Sequence, residues 1–258
     1  MNKKTNSSYK VYLPNRAKEI VQEENEYKYS EIESSKSPAY LSINIKAMSI
    51  NIFKDISSRY NLKLSSKLLE LGGGYGYLSS YIKTIKPKTN ITYSDPSEDA
   101  VKKSDQFEDF YGVKIDNKIV CAAENLSFNN NEFSTIIMFS SFHHVQDPQR
   151  ACNEISRVLS SKGKLLLIYE PSTPRVFAQR YKKHVERSGV EEKFYSIKQY
   201  RRFLKNAGLN SQIHFYTSPN FRWKKSSTIY YSLLSLLPKF VCRFVPCSVV
   251  IVASKIAV

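Results

Sequence analysis

An acid, three glycines at alternate positions and a second acid further on are the residues of this chain whose types and spacing could do chemistry. The first set is Glu70, Gly72, Gly74 and Gly76, inside Leu68-Leu69-Glu70-Leu71-Gly72-Gly73-Gly74-Tyr75-Gly76-Tyr77-Leu78. The second acid is Asp95, 19 residues beyond Gly76, a distance that holds one helix and one strand. An apolar run that stops abruptly in glycines reads as a buried parallel strand feeding a ligand loop. Glycines admit positive φ and let the backbone approach a bound molecule that any Cβ would obstruct. The helix that follows aims its free N–H groups back at that molecule, which favours a carboxylate or phosphate there. Parallel neighbours bring Asp95 beside the loop at the carboxyl edge of the sheet, where a carboxylate can accept from both hydroxyls of a ribose.

Two familiar nucleotide motifs are excluded. A dinucleotide fingerprint needs Gly-x-Gly-x-x-Gly. Read from Gly72 its last glycine is Tyr77, and read from Gly74 it is Ser79. No Gly-Lys-Ser/Thr follows, so the loop is not a P-loop. Further along, the adjacent His143 and His144 follow a strand and fall at the same carboxyl edge; no third ligand is spaced near them, so no metal is expected.

The elements that must position these residues alternate. Pro38 opens a helical stripe (Tyr40, Leu41, Ile43, Ile45, Met48, Ile52, Phe53, Ile56) that runs to about Tyr60. After the loop, Tyr77 to Ile85 continue as a helix that Lys86-Pro87-Lys88 stops, and Asn90–Pro96 is a β-branched strand. A polar helix over 97–110 leads to a third strand, Lys118–Ala122, and a fourth, Phe133–Ser141. The helix Gln149–Leu159 is expected to end in a left-handed cap at Gly163, ahead of a fifth strand, Lys164–Glu170. An amphipathic helix from Ser196 ends at Gly208, with Gln212–Tyr216 the next strand, Tyr230–Val241 an apolar helix and Ser248–Lys255 the last strand. Residues 1–36 are polar, with a mixed-charge run from Arg16 to Glu26 that could be helical. Strand and helix alternating from Leu68 to Ile168 imply an α/β fold with a mostly parallel sheet covered on both faces.

Composition sets the outer bounds. A chain of 258 residues, 41% hydrophobic and 24% charged, is ordinary for a globular domain. Cys121, Cys152, Cys242 and Cys247 are scattered, which points to neither zinc nor a disulfide framework. The polar amino end shows no signal peptide and no run of about 18 apolar residues exists, so a cytoplasmic protein without a transmembrane segment is the default. The net charge of +16 is uneven: residues 175–258 hold 16 Lys and Arg against 3 Asp and Glu. Such a third meets an anionic partner, or is a solvated surface in a lysine-rich composition.

The glycine loop with its acid resembles motif I of the class I S-adenosylmethionine-dependent methyltransferases, of the type 11 kind. Ala123-Glu124-Asn125-Leu126-Ser127-Phe128 is similar to that family's segment beside the adenine, Phe133-Ser134-Thr135-Ile136 to its Phe-Asp-x-Val, and Arg157-Val158-Leu159 with Gly163 to its Arg-Val-Leu-Lys-Pro-Gly-Gly stretch. The likeness runs from about Leu68 to Pro171, roughly two fifths of the chain. It implies a Rossmann-like sheet of seven strands, the last antiparallel, with residues 1–60 as a polar segment and helical cap. The methyltransferase domain would span 61–258, with pocket insertions at about 171–195 and 219–246. S-adenosyl-L-methionine is the implied cofactor, held by Glu70, Gly72, Gly74, Gly76, Asp95, Pro96, Ala123, Glu124 and Ser140. Ala122 stands where the family has an aspartate for the adenine amino group, which leaves adenine to backbone and apolar walls. By the same resemblance His144 is the candidate base, and His143, Tyr169 and Glu170 are candidates to touch the substrate. The acceptor implied is a small molecule, phosphorylated, nucleotide-linked or carboxylated to suit the basic third. RNA methylation, or a non-catalytic module on the same fold, are the alternatives, and an apolar helix beside basic residues could also rest on a membrane surface.

Overall fold

The computed structural model describes residues 10–12, 38–174, 176–177, 193–221 and 225–256. The mixed-charge run Arg16–Glu26, the basic stretch around Arg175–Lys183 apart from residues 176–177, and Arg222, Trp223 and Lys224 lie outside the described residues. In chain order the strands are β1 (Lys10–Tyr12), β2 (Lys67–Leu71), β3 (Asn90–Asp95), β4 (Asn117–Cys121), β5 (Phe133–Phe139), β6 (Leu159–Ser172), β7 (Leu209–Tyr216) and β8 (Cys247–Lys255). The helices are α1 (Pro38–Arg59), α2 (Tyr77–Ile85), α3 (Glu98–Lys103), α4 (Asp105–Tyr111), α5 (Pro148–Val158), α6 (Ile197–Asn206) and α7 (Lys225–Leu236).

The strands form one sheet in the order β1-β4-β3-β2-β5-β6-β8-β7. β8 is antiparallel to both neighbours and the other pairs are parallel. The seven strands expected of this fold are all there. An eighth, β1, adds three residues in register with Ile119–Cys121 at the β4 edge.

The sheet is buried on both faces because its strands are apolar at successive positions. Alternate residues feed two cores. Leu69, Ile136, Met138, Leu165, Leu167 and Ile251 pack on one face, under α5, α6 and Leu234 of α7. Leu68, Ile137, Leu166, Ile168 and Val250 pack on the other, under α1, α2 and α4. On that second face the described half of the α1 stripe buries Ile52, Phe53 and Ile56. The carboxyl end of α1 is tied to β7: Tyr216 Oη donates to Asp55 Oδ2 at 2.7 Å, and Tyr60 stacks on His214 at 4.9 Å.

Helix ends follow their capping residues. Asp147 accepts from Gln149 N and Arg150 N at the start of α5, with Pro148 next to it. Ser196 and Gln199 form a capping box at α6, and Gly208 closes it with φ +73°. Three expectations are corrected. The polar helix over 97–110 is two helices that join at the buried Ser104. The apolar helix expected over 230–241 stops at Leu236, because Pro238 removes an N–H and its ring crowds the preceding turn, and the chain goes on as a 3₁₀ helix, Lys239–Arg243. Gly163 is not a left-handed cap: α5 ends at Val158, Leu159 is already extended, and Gly163 is absent from the positive-φ residues. It is glycine for lack of space, since a Cβ there would come within 2.7 Å of Leu159 Cδ1 and 2.9 Å of Ser160 Oγ.

Gly163→Ala is therefore expected to destabilise the fold by about 1–3 kcal/mol through overpacking. Trimming the opposing side chain with Leu159→Val is expected to recover part of that loss, a non-additivity read from urea unfolding of both single variants and the double. Strictly additive losses would show that contact with Leu159 is not the cause.

Candidate active site

The glycine loop joins β2 to α2 at the carboxyl edge of the sheet, with β3 on one side and β5 on the other. Glu70 and Tyr93 face each other in register, and Asp95 lies two residues beyond Tyr93 on the same face. All three engage the loop. Gly74 N donates to Asp95 Oδ2 at 2.8 Å, and the Tyr93 hydroxyl donates to Gly74 O. Asp95 Oδ1 accepts from Ser97 N at 2.8 Å, while Ser97 itself caps α3, so Asp95 is not that helix's cap. A carboxylate oxygen can accept from more than one donor.

Glu70 is 1% exposed and lies beneath the loop, against Gly73, where a Cβ would stand 2.8 Å from its carboxyl carbon and from the Tyr93 ring. Spacing singled out only the alternate glycines. Gly73 is equally obligatory, for room rather than for φ. Gly74 is the opposite case: it takes φ +60° and nothing lies within 4 Å of where its Cβ would be. The loop therefore offers bare backbone to open space beside an acid.

Burial drives the Glu70 carboxyl up to about 7, opposed by hydrogen bonds from the Ser79 hydroxyl and N–H, raised further by Asp95 and lowered by Lys46. Lys46 on α1 stands 4.5 Å from the Tyr77 ring centre and 5.8 Å from that of Tyr75, so α1 reaches the loop.

The second half of the site is built at the ends of β5 and β6. Ser140 and Tyr169 both adopt positive φ, +50° and +61°, at adjacent strand ends, with Ser140 N bonded to Ile168 O. The register between β6 and β8 slips between Ile168 and Glu170, so Tyr169 is a bulge. Tyr169 stacks on Phe139 at 6.0 Å and meets Tyr216 edge-on. The bulge delivers Glu170 into the turn after β5. Its Oε1 accepts from Ser141 N and Phe142 N, each at 2.9 Å, and its Oε2 accepts from His143 N at 3.2 Å and pairs with His143 Nδ1 at 2.8 Å. Glu170 is fully buried, so it does not present its carboxyl to a substrate; it holds the loop that carries the histidines. The pair orients the His143 ring, with Nδ1 towards Glu170 and Nε2 on its far side. His144 is half-buried, its ring 4.1 Å from that of His143.

The remaining expected site residues take the following places. Pro96 follows Asp95 at the loop rim, and Ala123 is buried after β4. Glu124 Oε1 accepts from Gln146 N at 2.8 Å, joining the turn after β4 to the turn after the histidines. Ser141 closes the gap between the two halves: its hydroxyl donates to Leu71 O at 3.2 Å, and a Cβ on Gly72 would stand 2.9 Å from its own Cβ.

Next to β6 and β8 the same edge opens into a cleft of about 730 Å³. Phe194, Tyr230 and Tyr231 supply aromatic walls, Ser172, Ser226 and Ser248 supply hydroxyls, and none of the described lining residues is charged. The parallel strands β2 and β6 are separated by β5 alone, so the end of β6 that borders this cleft lies two strand spacings, about 10 Å, from the strand that feeds the glycine loop.

Residues 69–167 match the family model described as a methyltransferase domain. Over this stretch, about two fifths of the chain, the likeness is to a methyltransferase domain. A curated relative, 2-methyl-6-phytyl-1,4-hydroquinone methyltransferase of Arabidopsis thaliana, is 32% identical over 143 residues, 55% of this chain and 39% of that protein. The chain thus spans about two fifths of the length of that relative. Among solved structures, a SAM-dependent methyltransferase from Thermotoga maritima is 18% identical, with TM-score 0.57, over 92% of this chain and 99% of the other. Geranyl diphosphate C-methyltransferase of Streptomyces coelicolor, crystallised with geranyl diphosphate and S-adenosyl-L-homocysteine, is 15% identical with TM-score 0.57, over 74% and 71%. At such identities these two structures speak for the fold alone. The residues of this stretch fit that family's cofactor on their own geometry: a Cβ-free cradle at Gly74, with no described atom within 4 Å of where a Cβ would be, and the Asp95 carboxylate bonded to it.

The pH dependence of Glu70 can be stated with its sign. Its folded-state value lies above the ordinary 4.5, so the fold prefers the neutral acid. That stabilisation is complete below the ordinary value and is lost as pH rises through about 7, roughly 3 kcal/mol in all. Glu70→Gln is expected to remove this slope, read as the change in urea midpoint between about pH 5 and about pH 8. An unchanged slope in the variant would assign the pH dependence to other groups.

Proposed function

We propose that this protein transfers a methyl group from S-adenosyl-L-methionine to a small molecule with an apolar or aromatic body. The single observation that carries the reading is the Asp95 carboxylate hydrogen-bonded to the backbone of an open glycine loop. In this reading Asp95 takes the two ribose hydroxyls, Gly72 and Gly74 let the backbone approach the amino-acid end, and Glu70 supports the loop from below. The backbone of Ala123 and Glu124 lies where adenine would rest, beside β4, with Pro96 and Ser140 at the rim. When bound, the sulfonium supplies a methyl already activated by positive sulfur, so the chain mainly aligns the two partners and keeps water out.

Strand order makes this arrangement linear: β4 for adenine, β3 for ribose, β2 for the amino-acid end, then β5 and β6 for the acceptor. An acceptor that holds its proton at neutral pH needs a base. We take Nε2 of His143 as that base in preference to His144, since His143, though buried, has an orienting carboxylate. His144 and Tyr169 are then acceptor contacts. The cleft beside β6 supports an apolar acceptor: its described lining is aromatic and hydroxylic, with no charged side chain among the described residues. An apolar body also accords with the phytyl chain in the name of the plant relative. Any anionic group on the acceptor would sit at the mouth rather than within.

Two measurements test this. Asp95→Ala is expected to weaken cofactor binding at least about 100-fold by calorimetry, since two bonds to a charged acceptor are each worth about 1.5–3 kcal/mol. Wild-type protein that binds no cofactor at millimolar concentration would leave a scaffold without the reaction. Incubation of a cell extract with cofactor labelled at the methyl group is expected to move label into an organic-extractable compound, with Glu170→Gln lowering the rate more than the cofactor affinity. Label found in RNA instead would identify a different acceptor class.

A further inference from the structure

Helix α7 is turned the wrong way out for a protein surrounded only by water. Its inner side is anchored: Leu234 is buried, the Tyr231 hydroxyl lies 3.1 Å from Ser248 Oγ, and Tyr230 Oη donates to Pro246 O at 2.5 Å. Its outer side carries Ile229, Leu233 and Leu236, 62%, 61% and 82% exposed, at the i, i+4, i+7 spacing of one helical face. Leu237 continues the ridge, and Phe240 and Phe244, 63% and 66% exposed, carry it through the 3₁₀ helix that follows. Single exposed apolar residues are common, but a continuous ridge of six marks a surface that something covers.

The charge around the ridge selects what covers it. Lys225, Lys239 and Arg243 flank it, with Lys239 also donating to Thr217. From Lys193 to the last residue the chain has eleven Lys and Arg and no Asp or Glu. A second copy brought against this face would set like charge against like. RNA would use the cations and leave the leucines and phenylalanines in water. An anionic bilayer satisfies both, taking the apolar side chains below the headgroups and the cations among them. No helix of the described residues is long and apolar enough to cross a membrane, so the contact is one of lying on the surface.

We infer that the ridge formed by α7 and the 3₁₀ helix after it docks this protein on anionic lipid surfaces. The same helix lines the acceptor cleft with Ser226, Ser227, Tyr230 and Tyr231. Docking thus puts the cleft wall at the headgroup boundary, where an amphipathic acceptor dissolved in the bilayer would be presented to it. The docking itself stands apart from the methyl-transfer reading and is measured without cofactor.

The test is co-sedimentation of the full chain with vesicles of phosphatidylcholine alone and of equal parts phosphatidylcholine and phosphatidylglycerol. Binding to the anionic vesicles is expected to exceed binding to the neutral ones by about tenfold or more and to fall with added salt. A variant with Leu233→Ser, Leu236→Ser and Phe240→Ser, all exposed positions, is expected to lose vesicle binding while keeping wild-type thermal stability and cofactor affinity. Absence of wild-type binding to anionic vesicles, or undiminished binding by the variant, would overturn the inference. So would a dimer in size-exclusion chromatography that the variant dissolves, or retention of RNA in place of vesicles.

Discussion

A single carboxylate sets the geometry of the glycine loop. Asp95 takes an N–H from Gly74 across the gap between β2 and β3, and an N–H from Ser97 in its own turn. Charged acceptors of backbone N–H groups form the stronger class of hydrogen bond, and here two of them fix one side chain in one orientation. The loop is held from its other polar atom as well, since Tyr93, two residues back on the same strand, donates to Gly74 O. A loop of bare backbone would otherwise be the softest part of the edge. Tying both polar groups of Gly74 to β3 stiffens it without putting any atom into the space it must leave open.

The turn after β5 repeats the device with different residues. Glu170 receives three backbone N–H groups and one imidazole, and so fixes the turn that carries both histidines. Glu70 lies under the first loop and Glu170 under the second, and Ser141 couples the two by donating to Leu71 O. Buried acids are tolerable at these positions because their oxygens are satisfied by donors, and for Glu70 because the neutral form prevails over much of the pH range. What is stiff at the site is therefore the pair of loops, with buried acids on the inside and the ligand side left bare.

The alternation of strand and helix was legible because parallel strands are apolar throughout and are punctuated by glycine and proline. Asp95 was legible because one helix and one strand of ordinary length return the chain to the same edge. Glu170 was not. Its position in sequence fits a substrate contact, and only the bulge at Tyr169, with a φ that leaves no glycine in the sequence as a mark, turns it inward. Gly163 misleads for a related reason: glycine can signal positive φ or missing space, and a one-dimensional pattern does not distinguish them. β1 is three residues that pair only because β4 offers an open edge, a tertiary opportunity with no local signature. The pairing of the His143 ring with Glu170 likewise depends on a partner 27 residues away.

The acceptor end of the edge is where local pattern gives least, and the reason is topological. The cofactor end is assembled within one continuous stretch of alternating elements, so spacing along the chain translates into spacing along the sheet. The cleft draws instead on the end of β6, on Phe177 and Phe194, on α7 and on the entry to β8, residues from four separated segments. No periodicity relates them, and their aromatic and hydroxyl character reads in sequence as ordinary core and loop. α7 is the exception that local pattern exposes: its apolar positions on the outer face cannot be core, because the inner face is already occupied by Tyr231 and Leu234. A helix apolar on both sides, in a region without a single acid, is built for two neighbours, and the described residues supply only one of them.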